Sequence, residues 1–246
     1  MAGYPEMSLV RGLRYLAESQ AAIAHNLANV DTAGFKRRAP VAVESRLSFD
    51  TMLGQKLPLV NYSESTDFQV GTPRETGNKF DVALGEGTWF RVADDKGRAW
   101  FTRDGQMQLD VEGNLVTHGG LRYLDQSGSP IRVGDGDSPP ADLVVSPNGQ
   151  IADPTSGQTF GPLGVFKVAD QQALIPQGAG LYTDTKNQQL ELAANGVQQG
   201  YREGSNVDSL QELVQMILVQ RGFSATERAL TTVGRMQDQL IANVSR

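Results

Sequence analysis

The 246-residue sequence contains no cysteine and only two histidines and two tryptophans. The lack of cysteine excludes disulfide bonds, thiolate metal sites and cysteine nucleophiles. No apolar run approaches the roughly 18 residues that a membrane-spanning helix needs. The N-terminus also lacks a basic stretch followed by an apolar core, so we expect no cleaved signal peptide and no membrane insertion.

Positive charge is not in excess either, because the formal net charge is −6. A nucleic-acid-binding protein usually carries a basic surface, so this balance argues against a nucleic-acid partner. The hydrophobic share of 39% and the charged share of 20% are typical of a folded protein. The length is sufficient for one large domain or two modest ones.

The stretch that organises the chain is an N-terminal helix predicted for residues 7–29. Its apolar side chains recur at alternating steps of four and three residues, interrupted by the polar Gln20. These apolar residues are Leu9, Leu13, Leu16, Ile23, Leu27 and Val30. We expect the helix to end near Asn29, which tolerates the left-handed conformation, and Gly34 to allow a turn after it.

A second helix is predicted for residues 208–243, with Ser205 or Asn206 as its N-cap. Its apolar residues include Leu213, Met216, Ile217, Phe223, Leu230, Val233 and Leu240. We call the apolar residues of the two helices the predicted seam. Because each helix has an apolar face and neither has nearby sequence to cover it, we expect the two to form an α-helical coiled coil that serves assembly.

The middle of the chain has the pattern of an all-β domain. Turn signals recur every 8–12 residues, and short runs alternate apolar and polar side chains, as in Met107, Leu109 and Val111. Residues 135–140 are predicted to form a surface loop in this domain. The fold class is therefore predicted to be α+β, with a terminal coiled-coil domain built from both chain ends. The predicted limits are 1–36, an extended connector 37–75, a β-domain 76–190, a connector 191–206, and 207–246.

Three ordered blocks of the sequence resemble the flagellar rod and hook family of axial proteins. The first block is an N-terminal signature composed of Asn26, Leu27, Ala28, Asn29, Thr32, Gly34, Phe35 and Lys36. The family usually has Pro at the position of Ala33 and often Asn or Ser at that of Asp31. The second block includes residues 75–90 and 101–105, and the third includes residues 201–207 and the apolar helix that follows.

This resemblance implies a structural subunit of the bacterial flagellar basal-body rod, most like the proximal rod members of the family. Its implied partners are copies of itself, other rod proteins and the flagellar export apparatus. The implied location is the rod, reached without a cleaved signal peptide. A distal rod or hook-type protein of the same family remains an alternative. A different class also remains open, namely a secreted β-rich protein that binds sugar or hydrolyses peptidoglycan.

No enzyme motif is found, so we predict no catalytic, cofactor-binding or metal-binding residue. His25 lies on the predicted N-terminal helix and His118 in a turn-forming sequence before two glycines, where packing or surface roles are expected. Most of the β-domain's carboxylates fall in turn sequences, which favour Asp anyway. Trp89 and Trp100 could stack on a sugar, but in alternating strands they are expected in the core or on a sheet face.

Overall fold

The structure, a computed structural model, describes residues 4–45, 59–134, 142–193 and 196–244. The predicted loop 135–140 and the side chain of Leu240 lie outside the described part. The elements in chain order are α1 (Tyr4–Ala28), β1 (Arg38–Ser45), β2 (Leu59–Thr66), β3 (Pro73–Glu75), β4 (Val82–Leu84), β5 (Thr88–Ala93), β6 (Ala99–Thr102), β7 (Met107–Leu109), β8 (Leu115–Thr117), β9 (Arg122–Tyr123), β10 (Val144–Val145), β11 (Gln150–Ala152), β12 (Thr159–Pro162), β13 (Val165–Lys167), a 3-10 turn (Gln171–Ala173), β14 (Leu174–Gly178), β15 (Leu181–Asp184), β16 (Glu191–Leu192), β17 (Val197–Gln199), β18 (Tyr201–Glu203) and α2 (Ser209–Val244).

The chain forms two compact units. Unit 1 consists of the described parts of Met1–Ala28, Arg38–Asp67 and Asp208–Arg246. Unit 2 consists of the described parts of Asn29–Arg37 and Phe68–Val207. The chain therefore passes between the units four times. The domain limits expected from the sequence stay a prediction.

Unit 2 is built on a nine-stranded antiparallel sheet. Seven strands run in the order β14-β15-β6-β5-β9-β8-β7, and β13 joins β5 to β16. Strand β5 is the centre of this sheet because it pairs with β6, β9 and β13. Two short antiparallel pairs, β3 with β18 and β4 with β17, join the first part of the Phe68–Val207 segment to its end.

The core of unit 2 lies on both faces of strand β5. Successive side chains of a strand point to opposite faces, and Trp89 and Phe90 accordingly enter different apolar clusters. Both side chains are fully buried. Trp89 packs edge-on against Tyr182 with ring centroids 5.0 Å apart, and Phe90 packs in the same way against Tyr123 at 5.5 Å. Such edge-to-face pairs add stability beyond the area that they bury.

Unit 1 contains the two helices and a two-stranded ribbon. Strands β1 and β2 pair antiparallel over eight residues each, from Arg38 opposite Thr66 to Ser45 opposite Leu59. An isolated two-stranded ribbon is marginally stable in water, and α1 packs against this one. Helices α1 and α2 also pack against each other. At Gly222, a Cβ would lie 3.5 Å from Leu16 Cδ2, so the backbone of α2 closely approaches the side chain of Leu16.

The α+β class and a long helix at each chain end are confirmed, but the predicted coiled coil is wrong. Coiled coils interlock apolar residues from both helices along a seam. The buried positions of α1 are instead Ser19, Ala22, Ile23 and Asn26, and Glu212 is the buried side chain of α2. The seam residues Leu213 and Ile217 are each 50% exposed. The β ribbon also packs on α1, and the buried Asn26 bonds to Arg38 at the start of β1.

Candidate functional site

The N-terminal signature forms a tight turn that begins unit 2. The Thr32 N–H donates to the Asn29 carbonyl at 3.1 Å, and the Thr32 hydroxyl lies 3.2 Å from Asn29 Oδ1. Gly34 follows with φ +64°, a conformation that costs other L-residues about 1–2 kcal/mol. A Cβ at Gly34 would also lie 2.7 Å from the carbonyl carbon of Arg103. The turn therefore requires glycine for its conformation and for its packing.

The signature ends at a buried ion cluster, which we call the clasp and define as Lys36, Arg103 and Glu203. Lys36 Nζ lies 2.6 Å from Glu203 Oε1, and Arg103 Nε lies 2.5 Å from Glu203 Oε2. No side chain of the three is more than 2% exposed. A buried charge is costly unless it is paired and hydrogen-bonded. The carboxylate of Glu203 thus holds two cations that lie far from it in sequence.

The guanidinium of Arg103 is held by the sheet as well as by Glu203. It donates to the carbonyls of Leu84 and Gly85 at 3.1 Å and of Thr88 at 2.6 Å. Its central carbon lies 5.7 Å from the ring centroid of Trp89, within cation–π range. Arginine suits this position because its planar group presents five donors in a fixed geometry.

The chain segments beside the clasp are bonded through Asn206, and their backbones approach closely at two glycines, Gly71 and Gly204. Asn206 Oδ1 accepts the Arg37 N–H at 2.7 Å, and its Nδ2 donates to the Gln69 carbonyl at 3.1 Å. A Cβ at Gly71 would lie 1.9 Å from the carbonyl oxygen of Gly204, so no side chain fits there. These contacts bring together three of the segments by which the chain enters or leaves unit 2.

In unit 1, the signature residue Asn26 acts as a partner for the start of the ribbon. Its side chain is fully buried. Asn26 Oδ1 accepts the Arg38 N–H at 2.9 Å, and Nδ2 donates to the Arg38 carbonyl at 2.8 Å. One side-chain amide therefore satisfies both backbone groups of Arg38, as a neighbouring strand would.

The predicted seam is dispersed in the structure. Ile23 is buried, whereas Leu9, Leu13, Leu16 and Leu27 of α1 and Met216, Phe223, Leu230 and Val233 of α2 are half-buried. Leu213 and Ile217 face solvent. The structure brings the two helices together near Leu16 and Gly222. The role of the seam residues in assembly stays a prediction.

The first half of α2 carries an exposed stripe that the sequence reading found only in part. We call it the outer stripe and define it as Leu210, Leu213, Val214, Ile217 and Leu218, which are 48–71% exposed. Steps of three and four residues put these side chains on one face of the helix. Leu210 and Leu218 were not among the predicted seam residues. Each lies four residues from Val214, and this helical spacing could have placed them on the same face.

Two titratable groups near these features, His25 and Asp104, have shifted pKa values. Burial lowers the pKa of His25, and the positive charge of Arg38 lowers it further, while Glu64 opposes this effect. Burial raises the pKa of Asp104, although the Gln106 N–H bonded to its carboxylate opposes the shift. His118 Nδ1 lies 2.9 Å from Gln108 Nε2 on the surface.

Within the described ranges, no group of three or more His, Cys, Asp or Glu side chains is placed to hold a metal ion. In the same part of the chain, no helix is both long and apolar enough to cross a membrane.

Two family profiles match the sequence. The profile described as "Flagellar hook protein FlgE/F/G D1 domain" matches residues 84–197. The profile described as "Flagellar basal body rod FlgEFG protein C-terminal" matches residues 198–243. The first match covers most of the sheet of unit 2, and the second covers Glu203, Asn206 and nearly all of α2.

Individual relatives extend the likeness over most of the chain. The flagellar basal-body rod protein FlgF of Mesorhizobium japonicum is 30% identical, covering 89% of this chain and 88% of that protein. The flagellar basal-body rod protein FlgG of Bacillus subtilis is 26% identical, covering 94% of this chain and 96% of that protein. FlgG of Agrobacterium fabrum is 27% identical, covering 90% of this chain and 92% of that protein.

Proposed function

The chain belongs to the family of flagellar basal-body rod proteins, and from this premise we propose that it builds the proximal part of the rod. It is a structural subunit, as its relatives' names indicate. The proximal position follows the sequence resemblance to the proximal rod protein of the family, which is called FlgF, and a FlgF protein is 30% identical over 89% of the chain. A FlgG protein reaches the same identity over the same share of the chain. No catalytic step is assigned to it.

The observation that carries the proposal is the outer stripe on α2. Soluble monomers rarely expose large contiguous apolar patches, and those that they expose often bind a partner. Burying a large apolar side chain is worth roughly 1.5–3 kcal/mol when it passes from full exposure to full burial. The five residues of the stripe are 48–71% exposed in the single chain. Covering them with a partner would therefore still yield a large part of this free energy. Their partners in this proposal are other rod subunits, including copies of this chain.

The remaining members of the predicted seam extend this assembly surface along both helices. The half-buried residues Leu9, Leu13, Phe223 and Leu230 keep part of their surface free. In a rod, one surface of each subunit contacts a different surface of the next, and the contacts do not close into a ring. Each subunit therefore repeats the same contact, so a change that weakens this contact weakens it at every subunit of the rod.

The proposal places the protein in the basal body, where it contacts other rod components. We further propose that the flagellar export apparatus delivers it without a cleaved signal peptide. A distal rod position is the second candidate, because the FlgG relatives match at similar identity and cover more of the chain. Family membership favours a rod subunit over a sugar-binding protein or a peptidoglycan hydrolase, and zymography on peptidoglycan checks that distinction.

Locating the subunit in purified basal bodies tests the proximal assignment. A strain that lacks the chain would be complemented with a tagged copy, and the tag would be located by electron microscopy along the rod axis. We expect the tag at the cell-facing end of the rod. A tag in the outer part of the rod would contradict the proximal position and support the distal one, and a rod without the tag would contradict both.

A further inference from the structure

Lys36 is the member of the clasp that lies in a short N-terminal segment of unit 2. We call residues 29–37 the strap. Lys36 Nζ donates to Glu203 Oε1 and to the Gln69 carbonyl, both at 2.6 Å. The side chain of Lys36 is completely buried. Lys36 and Glu203 are 167 positions apart in sequence, so their contact is a property of the fold alone.

The backbone groups of the strap bond to the same short stretch of chain. The Gly34 N–H donates to the Glu203 carbonyl at 3.0 Å, and the Asn206 N–H donates to the Phe35 carbonyl at 3.4 Å. The Arg37 N–H donates to Asn206 Oδ1 at 2.7 Å. The Gly71 N–H shares Glu203 Oε1 with Lys36, at 3.0 Å. Loss of the lysine bond would therefore weaken the strap, Gly71 and the Asn206 contacts together.

The other half of the clasp is anchored separately. Arg103 donates to three carbonyls of the β4–β5 region and lies over Trp89, and none of these groups belongs to the strap. Removing the charge of Lys36 would leave Arg103 and Glu203 as a neutral buried pair. Removing Glu203 would instead leave two buried cations without their counter-ion, which is far more costly. The clasp is therefore asymmetric, with a separable lysine side and a fixed arginine side.

From this asymmetry we propose that the strap is a releasable element. It closes on unit 2 by inserting Lys36 beside Glu203, and it opens in a local transition that leaves the sheet and the Arg103–Glu203 pair in place. Local openings of this kind require less free energy than global unfolding and occur in contiguous segments. The proposal concerns unit 2 by itself and does not depend on the position of the chain in the rod.

Amide hydrogen exchange of the full-length chain tests the proposal. The reporters of the strap are the amides of Gly34 and Arg37, which bond to Glu203 and Asn206, and the reporters of the sheet are those of Leu115 and Leu124. In Lys36→Met we expect exchange at the strap reporters to accelerate by at least about tenfold, with exchange at the sheet reporters unchanged. The control is Lys79→Met, which removes an exposed lysine paired with Asp142 and should change neither set.

Equal acceleration of both sets of reporters in Lys36→Met would overturn the proposal, as would unchanged exchange at the strap. A Lys36→Met chain that no longer folds would also overturn it, because the strap would then be integral to the sheet. The wild-type chain provides a second test in low concentrations of denaturant. We expect the strap amides to exchange at concentrations at which Leu115 and Leu124 remain protected. Exchange of both sets through one common transition would contradict a separate opening.

Discussion

The two units differ in what they bury. In unit 2, Trp89, Phe90 and Tyr123 have no exposed surface, and many smaller apolar side chains are buried around them. In unit 1, Leu210 is 71% exposed and Ile217 is 50% exposed, while Ser19 and Asn26 are buried. Unit 2 therefore has a large apolar core, whereas the buried positions described in α1 are mostly small or polar, and α2 exposes five neighbouring apolar side chains.

We expect this difference to separate residues that matter for stability from residues that matter for assembly. Hydrophobic burial is the dominant favourable contribution to folding, so most substitutions in unit 2 should act on its melting. Substitutions on the outer stripe should act on contacts with other subunits instead. Both tryptophans of the chain, Trp89 and Trp100, lie in unit 2. Tryptophan fluorescence therefore reports the melting of this unit alone and can test the comparison directly.

The largest effect on unit 2 is expected from Glu203→Gln. This change leaves Lys36 and Arg103 buried without a counter-ion, and breaking a buried pair in this way costs about 3–5 kcal/mol. We expect a correspondingly large fall in the Tm measured by tryptophan fluorescence. The matched control is Glu191→Gln, at an exposed glutamate of β16. Equal Tm values for the two variants would show that the clasp does not stabilise unit 2.

A smaller loss is expected from Gly34→Ala, and a control separates its two causes. Gly34 and Gly77 have nearly the same φ, +64° and +67°, but nothing lies within 4 Å of a Cβ at Gly77. The left-handed conformation alone should cost about 1–2 kcal/mol in Gly77→Ala. Gly34→Ala adds the clash with the backbone of Arg103, so we expect about twice that loss in chemical denaturation. If Gly34→Ala lost no more stability than Gly77→Ala, the turn would be able to move away from the backbone of Arg103 without cost.

The smallest effect is a pH-dependent gain from Asp104→Asn. Because burial raises the pKa of Asp104, the folded chain binds this proton more tightly than the unfolded chain. The stability of wild-type unit 2 should therefore decrease as the pH rises from about 4, the usual pKa of Asp, through the raised value. An asparagine side chain cannot ionise, so the variant should melt at a higher temperature than the wild type at about pH 7.

Melting curves under acidic and neutral conditions check this expectation. The advantage of Asp104→Asn should disappear at about pH 3, where the carboxyl of the wild type is largely protonated in both states. Asp95→Asn, at an exposed position in a turn, is the control for loss of one negative charge. An advantage of equal size at both pH values would show that ionisation of Asp104 is not its cause.

The sequence predicted local features well because local residues determine them. The N-terminal helix was expected at 7–29 and lies at Tyr4–Ala28, and the C-terminal helix was expected at 208–243 and lies at Ser209–Val244. The turn glycine at position 34 was also predicted, because a positive φ there is a property of the turn itself. Periodicity and turn-forming residues were sufficient for these features.

Features that depend on distant contacts could not be predicted in this way. The stretch 37–75 was expected to be an extended connector with one or two short strands, and it contains two eight-residue strands. Their pairing with each other and their packing on α1 were not predicted. The predicted coiled coil did not include this ribbon. Lys36, Arg103 and Glu203 each lie in a motif of the family, but nothing in the sequence indicated that they meet in one buried cluster.

The most direct test of the division between stability and assembly is Ile217→Asp on the outer stripe. An unpaired carboxylate carries a desolvation penalty of several kcal/mol if a partner must cover it, whereas it remains hydrated if the surface stays exposed. The control is Gln215→Asp, at an exposed position on a different face of α2. For each variant, tryptophan fluorescence would give the Tm of unit 2, and basal bodies isolated from a complemented strain would give the amount of subunit in the rod. We predict an unchanged Tm for both variants, with loss of the subunit from the rod for Ile217→Asp alone. Normal amounts of Ile217→Asp subunit in the rod would contradict the account, because the stripe would then not be an assembly surface.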